Sequence, residues 1–399
     1  MAQNREMPTA RHEFASLDGQ RYACIHDVDR LEPFLMSIVG DSDVWLFVGS
    51  NSPFTAGRVD PDHAMFPYQT ADKLLRHSDM SGALSVFRVG RGGSAATLWE
   101  PWRADTHGRG VTRNLYKHVL GTNVLFEEIN RDLGLRFAWS LSTCSQFGLV
   151  RHAVLENIGP GPARVDYLDG YQMLLPAGVN AATLLKYGYL AAGYMRHEVQ
   201  PDVPLAIYTL NAAVEDKPLP YESLRATAAW SVGHPHPDVI LSDRDVSAFR
   251  AGGTLKVQSE VRGEVGSYLV ADGLELAAGG RHEWFTVADT GLDHARLIGL
   301  RDRLATPDTL ERELQAAVAA DRDGLWKLIA AADGLQQTAD EAATVHHFGS
   351  VLFNCMRGGT SGSRTDSRGA TWTGSCGPRT LRFTAAWRIG SHLCPLPST

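Results

Sequence analysis

Five carboxylates, Asp60, Asp62, Asp72, Glu127 and Glu128, have the side-chain type that general acid and base work requires. Cleavage at an acetal carbon needs a carboxylic acid to protonate the departing oxygen, and a second carboxylate or a bound phosphate as nucleophile. Glu127 and Glu128 are neighbours on an expected strand, so their side chains point to opposite faces and cannot form a facing pair. Carboxylates on a strand serve equally well as exposed or hydrogen-bonded structural groups. His346-His347 stand about a third of a turn apart on a helix-like run, without an acidic ligand at helical spacing, so no metal site is expected. His234-Pro-His-Pro237 reads as a turn. The chain has no G-x-S-x-G, no Walker loop and no dinucleotide fingerprint, and Gly90-Arg-Gly-Gly93 is a glycine-rich turn. These patterns assign no catalytic residue and no cofactor.

Aromatic side chains mixed with planar polar ones suit a different task, because a pyranose ring stacks on an aromatic face while its hydroxyls take hydrogen bonds. Phe66, Tyr68, Asp72 and Lys73 form one such grouping. Trp99, Trp102, Arg103, Arg113, Asn114 and Tyr116 form another, in a segment that Pro101 and the glycines 108 and 110 mark as a long loop. Tryptophan and tyrosine in a β protein are also ordinary core residues.

The elements that must position these residues are mostly strands. Val44-Trp-Leu-Phe-Val48, Leu84-Ser-Val-Phe-Arg-Val89, Asn123-Val-Leu-Phe-Glu-Glu-Ile129 and Leu135-Arg-Phe-Ala-Trp-Ser-Leu141 are short β-branched and aromatic runs. Phe147-Gly-Leu-Val-Arg-His-Ala-Val-Leu155, Arg164-Val-Asp-Tyr-Leu168 and Leu205-Ala-Ile-Tyr-Thr-Leu210 continue the pattern, followed by 223–232, 256–261 and 282–287. Asn157-Ile-Gly-Pro-Gly-Pro162, Asp169-Gly170, Gly252-Gly253 and Gly279-Gly280 read as turns, and 180–195 as a short helix. Many strands without long helices between them imply stacked antiparallel sheets. Beyond Asp293 the pattern becomes helical: Thr306-Pro307 starts a helix whose Leu310, Leu314, Val318, Leu325, Leu328 and Ile329 share a face, and 339–356 forms a second.

Composition narrows the partners. The chain has 399 residues, a formal net charge of -7 and scattered Lys and Arg, so nucleic acid is not an expected partner. No run of roughly 18 apolar residues occurs, so no membrane span is expected. The polar first 18 residues lack a signal-peptide core, and the expected location is cytoplasmic. Five widely spaced cysteines without a C-x-x-C pair give neither a disulfide framework nor a zinc site. The last forty residues, 360–399, contain no Lys, Glu or Val and are rich in Arg, Gly, Ser and Thr; this abrupt shift reads as an aberrant, frameshifted tail, the other reading being a low-complexity one.

The string Phe54-Thr-Ala-Gly-Arg-Val-Asp-Pro-Asp-His-Ala-Met-Phe-Pro-Tyr-Gln-Thr-Ala-Asp-Lys73 resembles a segment of cellobiose-phosphorylase-like proteins, of the glycoside hydrolase family 94 kind. Arg113-Asn-Leu-Tyr-Lys117, Leu125-Phe-Glu-Glu-Ile-Asn-Arg-Asp132, Phe147-Gly-Leu-Val-Arg151, Pro220-Tyr-Glu-Ser-Leu-Arg225 and Phe353-Asn-Cys-Met-Arg-Gly-Gly359 extend the resemblance in order along the chain. It implies a mainly β protein: a large antiparallel, galactose-mutarotase-like β-supersandwich over 41–292 after a lead-in over 1–40, then linker α-helices and the start of a barrel over 293–359. The resemblance places the catalytic (α/α)6 barrel of such proteins after these helices, where it is expected to be missing, so no catalytic residue carries over. The expected function is therefore the carbohydrate-binding part of a glycoside phosphorylase or hydrolase, inactive alone, with an oligosaccharide or glycoside as partner and a homodimer as the family's usual assembly. A stand-alone carbohydrate-binding or assembly module is the alternative, and a polysaccharide lyase relative is a third reading.

Overall fold

The computed structural model describes residues 10–76, 81–92, 95–103, 110–212, 224–332 and 334–356. The expected tail, 360–399, lies outside the described residues, as do 220–223 of the Pro220-Arg225 string and residue 108 of the expected loop.

Alternation along each strand decides which side is buried. In Leu135–Cys144 the side chains of Leu135, Phe137, Trp139 and Leu141 turn inward together, while Arg136, Ser140 and Ser142 turn outward. The same parity runs through Gly148–Asn157, with Leu149, Ala153 and Leu155 inward. Eleven antiparallel strands pair in this way, in the order Arg11–Leu17, Gln20–His26, Val111–His118, Asn123–Asn130, Leu135–Cys144, Gly148–Asn157, Arg281–Leu292, Ala226–Val232, Leu205–Leu210, Met195–Val199 and Glu260–Arg262. A five-stranded sheet packs on the inner face, in the order Asp238–Ile240, Gly266–Leu276, Ala163–Leu174, Gly82–Gly90 and Thr97–Trp99. The protein is thus mainly β, built on large antiparallel sheets. Two strands that the sequence pattern leaves in the lead-in, Arg11–Leu17 and Gln20–His26, form the edge of the larger sheet.

Between the sheets lie Phe87, Phe126, Phe137, Trp139, Tyr167, Tyr171 and Trp284, every one nearly sealed from solvent. Each such ring contributes roughly 1.5–3 kcal/mol on burial. A three-stranded sheet, Leu35–Ile38, Val44–Gly49 and Phe54–Arg58, closes one end of this core through Phe54, Ala56 and Val48.

The helices cover part of the opposite, outer face of the large sheet. Pro307–Ala331 begins at Thr306 with Pro at its first turn and seats Leu310 and Leu314 against Val150, Trp230 and Val287. Its second half buries Leu325 and Ile329 against Leu120 and Phe348, the latter from Glu341–Met356. Leu328, expected on the buried face, is exposed beside Trp326. An additional helix, His294–Leu304, capped by the Asp293 carboxylate, precedes them.

Three local expectations are corrected. Asp169-Gly170 is not a turn but the middle of the long strand Ala163–Leu174, where a Cβ on Gly170 would overlap the Tyr268 carbonyl oxygen. The segment 256–261 pairs only from Glu260 onward. The helix expected over 180–195 is broken at Gly188 (φ +49) into Ala181–Tyr187 and Tyr189–Gly193. No helix among the described residues is long and apolar enough to cross a membrane.

Candidate functional site

The grouping of Trp99, Trp102, Arg103, Arg113, Asn114 and Tyr116 is split by the sheet rather than gathered in a loop. Arg113, Asn114 and Tyr116 all lie on the strand Val111–His118, so Arg113 points inward and the other two outward. On the inside, Glu128 accepts hydrogen bonds from Arg113 Nε (2.8 Å), Trp99 Nε1 (2.7 Å) and the Trp102 backbone N–H (2.6 Å). Arg113 also donates to the Arg103 carbonyl at 2.7 Å, and Trp102 Nε1 to that of Ser50 at 3.1 Å. Trp102 holds a left-handed backbone (φ +67) in this web. Trp99, Trp102 and Arg113 are buried, and their polar groups satisfy a buried carboxylate.

Outside the sheet, Glu127 accepts from Asn114 Nδ2 (2.7 Å), Tyr116 Oη (2.7 Å) and Arg136 Nε (2.5 Å). Burial alone would raise its pKa, but those hydrogen bonds and the Arg136 charge outweigh it and leave the carboxyl below its usual range. Burial, and then the bond to Glu127, holds the Tyr116 hydroxyl protonated. Glu127 is therefore a fixed anion, unsuited to donating a proton near neutrality. Glu127 and Glu128 lie on opposite faces, as their adjacency requires.

The grouping of Phe66, Tyr68, Asp72 and Lys73 is partly in the core. Phe66 is fully buried, meeting Phe54 at 4.9 Å and Tyr171 at 5.4 Å between ring centres. Tyr68 is half-buried and stands edge-on to Trp45 at 5.7 Å, while Asp72 and Lys73 are exposed on the short helix Ala71–Leu74. A hydrogen bond from Thr70 lowers the Asp72 pKa.

Around Tyr68 the structure assembles a rim. Leu184 from Ala181–Tyr187 packs into the same cluster as Trp45, Phe47, Val179 and Tyr68. Asn180 caps that helix by accepting from the Thr183 N–H at 2.8 Å, and its amide donates to Asp62 at 2.6 Å. Nearby, His63 Nδ1 and Asp60 Oδ1 are 2.7 Å apart, and Trp45 Nε1 donates to the Asp60 carbonyl. Seating Leu184 inward turns its neighbours outward: Leu185 is 89% exposed and Tyr189 95%, with Leu190 and Tyr194 also open. The sequence pattern places Asn180 at the start of the expected helix, but it shows neither the capping bond nor the tie to Asp62, 118 residues away. Among the described residues the carboxyls whose pKa is raised, Glu311 and Asp321, stand on Pro307–Ala331 and not on the rim. Among the described residues no group of three or more His, Cys, Asp or Glu is placed to hold a metal ion.

No family model matches the chain, and no curated protein matches it in sequence. Solved structures similar to it in shape include a bacterial glucoamylase complexed with acarbose, at 9% identity and a TM-score of 0.38, with 81% of this chain and 37% of that one covered. A polysaccharide lyase is similar at 14% identity and a TM-score of 0.34, covering 61% and 30%. A structure assigned as an aldose 1-epimerase from Klebsiella pneumoniae gives 8% identity and a TM-score of 0.39, covering 75% and 91%. The chain thus spans about a third of the length of the first two. Similarity at this level assigns no role to any residue.

Proposed function

We propose that this chain is the carbohydrate-binding β part of a glycoside phosphorylase- or hydrolase-like protein, and that the rim around Tyr68, Asp62 and Asn180 is where it meets an oligosaccharide. The observation that supports this reading is a set of hydrogen-bonding groups already paired at the rim, Asp62 with Asn180 and Asp60 with His63, followed along the chain after Asn180 by the open aromatic side chain of Tyr189. Stacking offers the apolar face of a sugar a platform, and the pre-oriented polar groups suit its hydroxyls. Asp72 and Lys73 extend the polar margin. The ordered resemblance to cellobiose-phosphorylase-like proteins points to the same ligand class.

The stand-alone binding module has one observation in its favour: Glu127 and Glu128 are both saturated by donors, which suits structural anions better than proton donors. Titration calorimetry with β- and α-linked gluco-oligosaccharides, with and without phosphate, tests both readings. The expected result is binding by the wild type that weakens about three- to tenfold in Tyr189→Ala, the worth of one stacked ring. Binding without sugar release is the expected outcome for the chain as it stands; phosphate-dependent release of a sugar phosphate would place catalysis within it. No binding to any of these glycans would overturn the proposal.

A further inference from the structure

Lys117 occupies an inward position on Val111–His118, next to the turn at Gly121. It lines a cavity of about 250 Å³ whose walls are mostly apolar, with Val39, Leu120, Val345, Leu352 and Phe353 beside the polar Ser37 and His118. The stem is laid along the turn, with Cε 3.9 Å from where a Cβ on Gly121 would stand, and Gly121 itself has φ +76. Lys117 is half-buried and no acid among the described residues pairs with it, and burial pushes its pKa down to about 8. An ammonium without a counter-charge is costly beside hydrocarbon, and an apolar cavity open to water is costly for the opposite reason.

One kind of molecule relieves both. We propose that this cavity is a binding site for a small amphiphilic monocarboxylate, its carboxylate on the Lys117 ammonium and its hydrocarbon chain along Leu120, Val345, Leu352 and Phe353. The volume falls below the ~300 Å³ at which drug-sized pockets begin, so the chain it accepts is short. The site stands apart from the rim and does not depend on the carbohydrate reading.

The probes are octanoate and octan-1-ol, which share a hydrocarbon chain and differ in charge, titrated calorimetrically into the full chain. At pH 6.5 octanoate is expected to bind about ten- to a hundredfold more tightly than octanol, the worth of a charge-assisted contact. That preference should disappear at pH 9.5, where the amine is neutral, and in Lys117→Met, which keeps the stem. The other titratable side chain lining the cavity, His118, is held neutral with a pKa near 4, chiefly by burial, and does not change charge between those pH values. Lys117→Met should melt no lower than the wild type, since it removes an unpaired charge, so loss of preference in the variant will not report unfolding. Equal binding of the two probes by the wild type, an undiminished preference in Lys117→Met, or no octanoate binding at all would overturn the proposal.

Discussion

The interior of the sandwich and the rim use the same vocabulary of carboxylates, amide or guanidinium donors and aromatic rings, yet they differ in what is left over. In the interior, Asp169 accepts from Arg151 through both Nη1 (2.5 Å) and Nη2 (2.9 Å), from Ser85 Oγ (2.6 Å) and from Trp284 Nε1 (2.7 Å). Arg151 and Asp169 stand on opposite sheets and are both fully buried. Glu128 repeats the scheme with Arg113 and Trp99. At the rim, Asp62 and Asn180 are paired once, at an exposed site, and Tyr189 meets solvent over nearly all its surface. Saturation by protein donors pins two sheets together; partial saturation leaves capacity for something else.

The contrast can be broken most forcefully at the inter-sheet pair. Asp169→Asn leaves the Arg151 charge buried without its partner, and we expect a loss of about 3–5 kcal/mol in chemical denaturation. The double replacement Arg151→Met with Asp169→Leu removes both charges and should recover part of that loss. Recovery will be incomplete because Trp284 and Ser85 lose their acceptor, at about 1–3 kcal/mol for each buried donor left unmade. If Asp169→Asn unfolds within 1 kcal/mol of the wild type, the pair is not the pin described here.

The next effect is a pH dependence that arises under the helices on the outer face of the large sheet and that rim substitutions should not alter. His118 is buried, and burial followed by the Arg322 charge lowers its pKa from 6.5 to about 4. Its folded pKa lies below its unfolded one, so the unfolded chain takes up the proton first as the solution is acidified. The stability is whole above pH 6.5 and drains away between 6.5 and about 4, by up to about 3 kcal/mol. His118→Gln, which keeps an acceptor for Thr122 and the Leu120 N–H, should flatten the denaturation profile across that window. An unchanged profile would remove His118 from the account.

What the sequence conveyed depended on whether a property was local. Strand alternation was legible in Leu135–Cys144 and Gly148–Asn157, because inward and outward positions differ in type. Period-two geometry separated Glu127 from Glu128, and applied to Arg113 and Asn114 it would have split the second grouping as well. Asp169-Gly170 misled because a polar residue beside glycine is the usual mark of a turn; the partner that makes Asp169 a core residue lies on another sheet. Trp99 and Trp102 suit a sugar platform as well as a core by type, and nothing local announces the buried acceptor, Glu128, that decides between the two. The short helices Ala181–Tyr187 and Tyr189–Gly193 carry apolar residues all round, a pattern that ordinarily signals burial, so their exposure could not be read before the fold placed Leu184 inward.

The smallest effect on stability is expected where the effect on binding is the point. Leu185 and Tyr189 contact almost nothing among the described residues, so Leu185→Ser with Tyr189→Ser should change unfolding free energy by no more than about 0.5 kcal/mol. Leu184→Ser, one residue away, should cost several times more because its side chain packs with Trp45 and Val179. The pair of variants therefore asks whether this helical segment, 181–193, has an inside and an outside. A large loss in the double variant would make Leu185 and Tyr189 part of the core. A small loss, together with weakened oligosaccharide binding, is what an open platform requires, since a residue held in solvent at no structural benefit can lose its contacts only when a ligand supplies them.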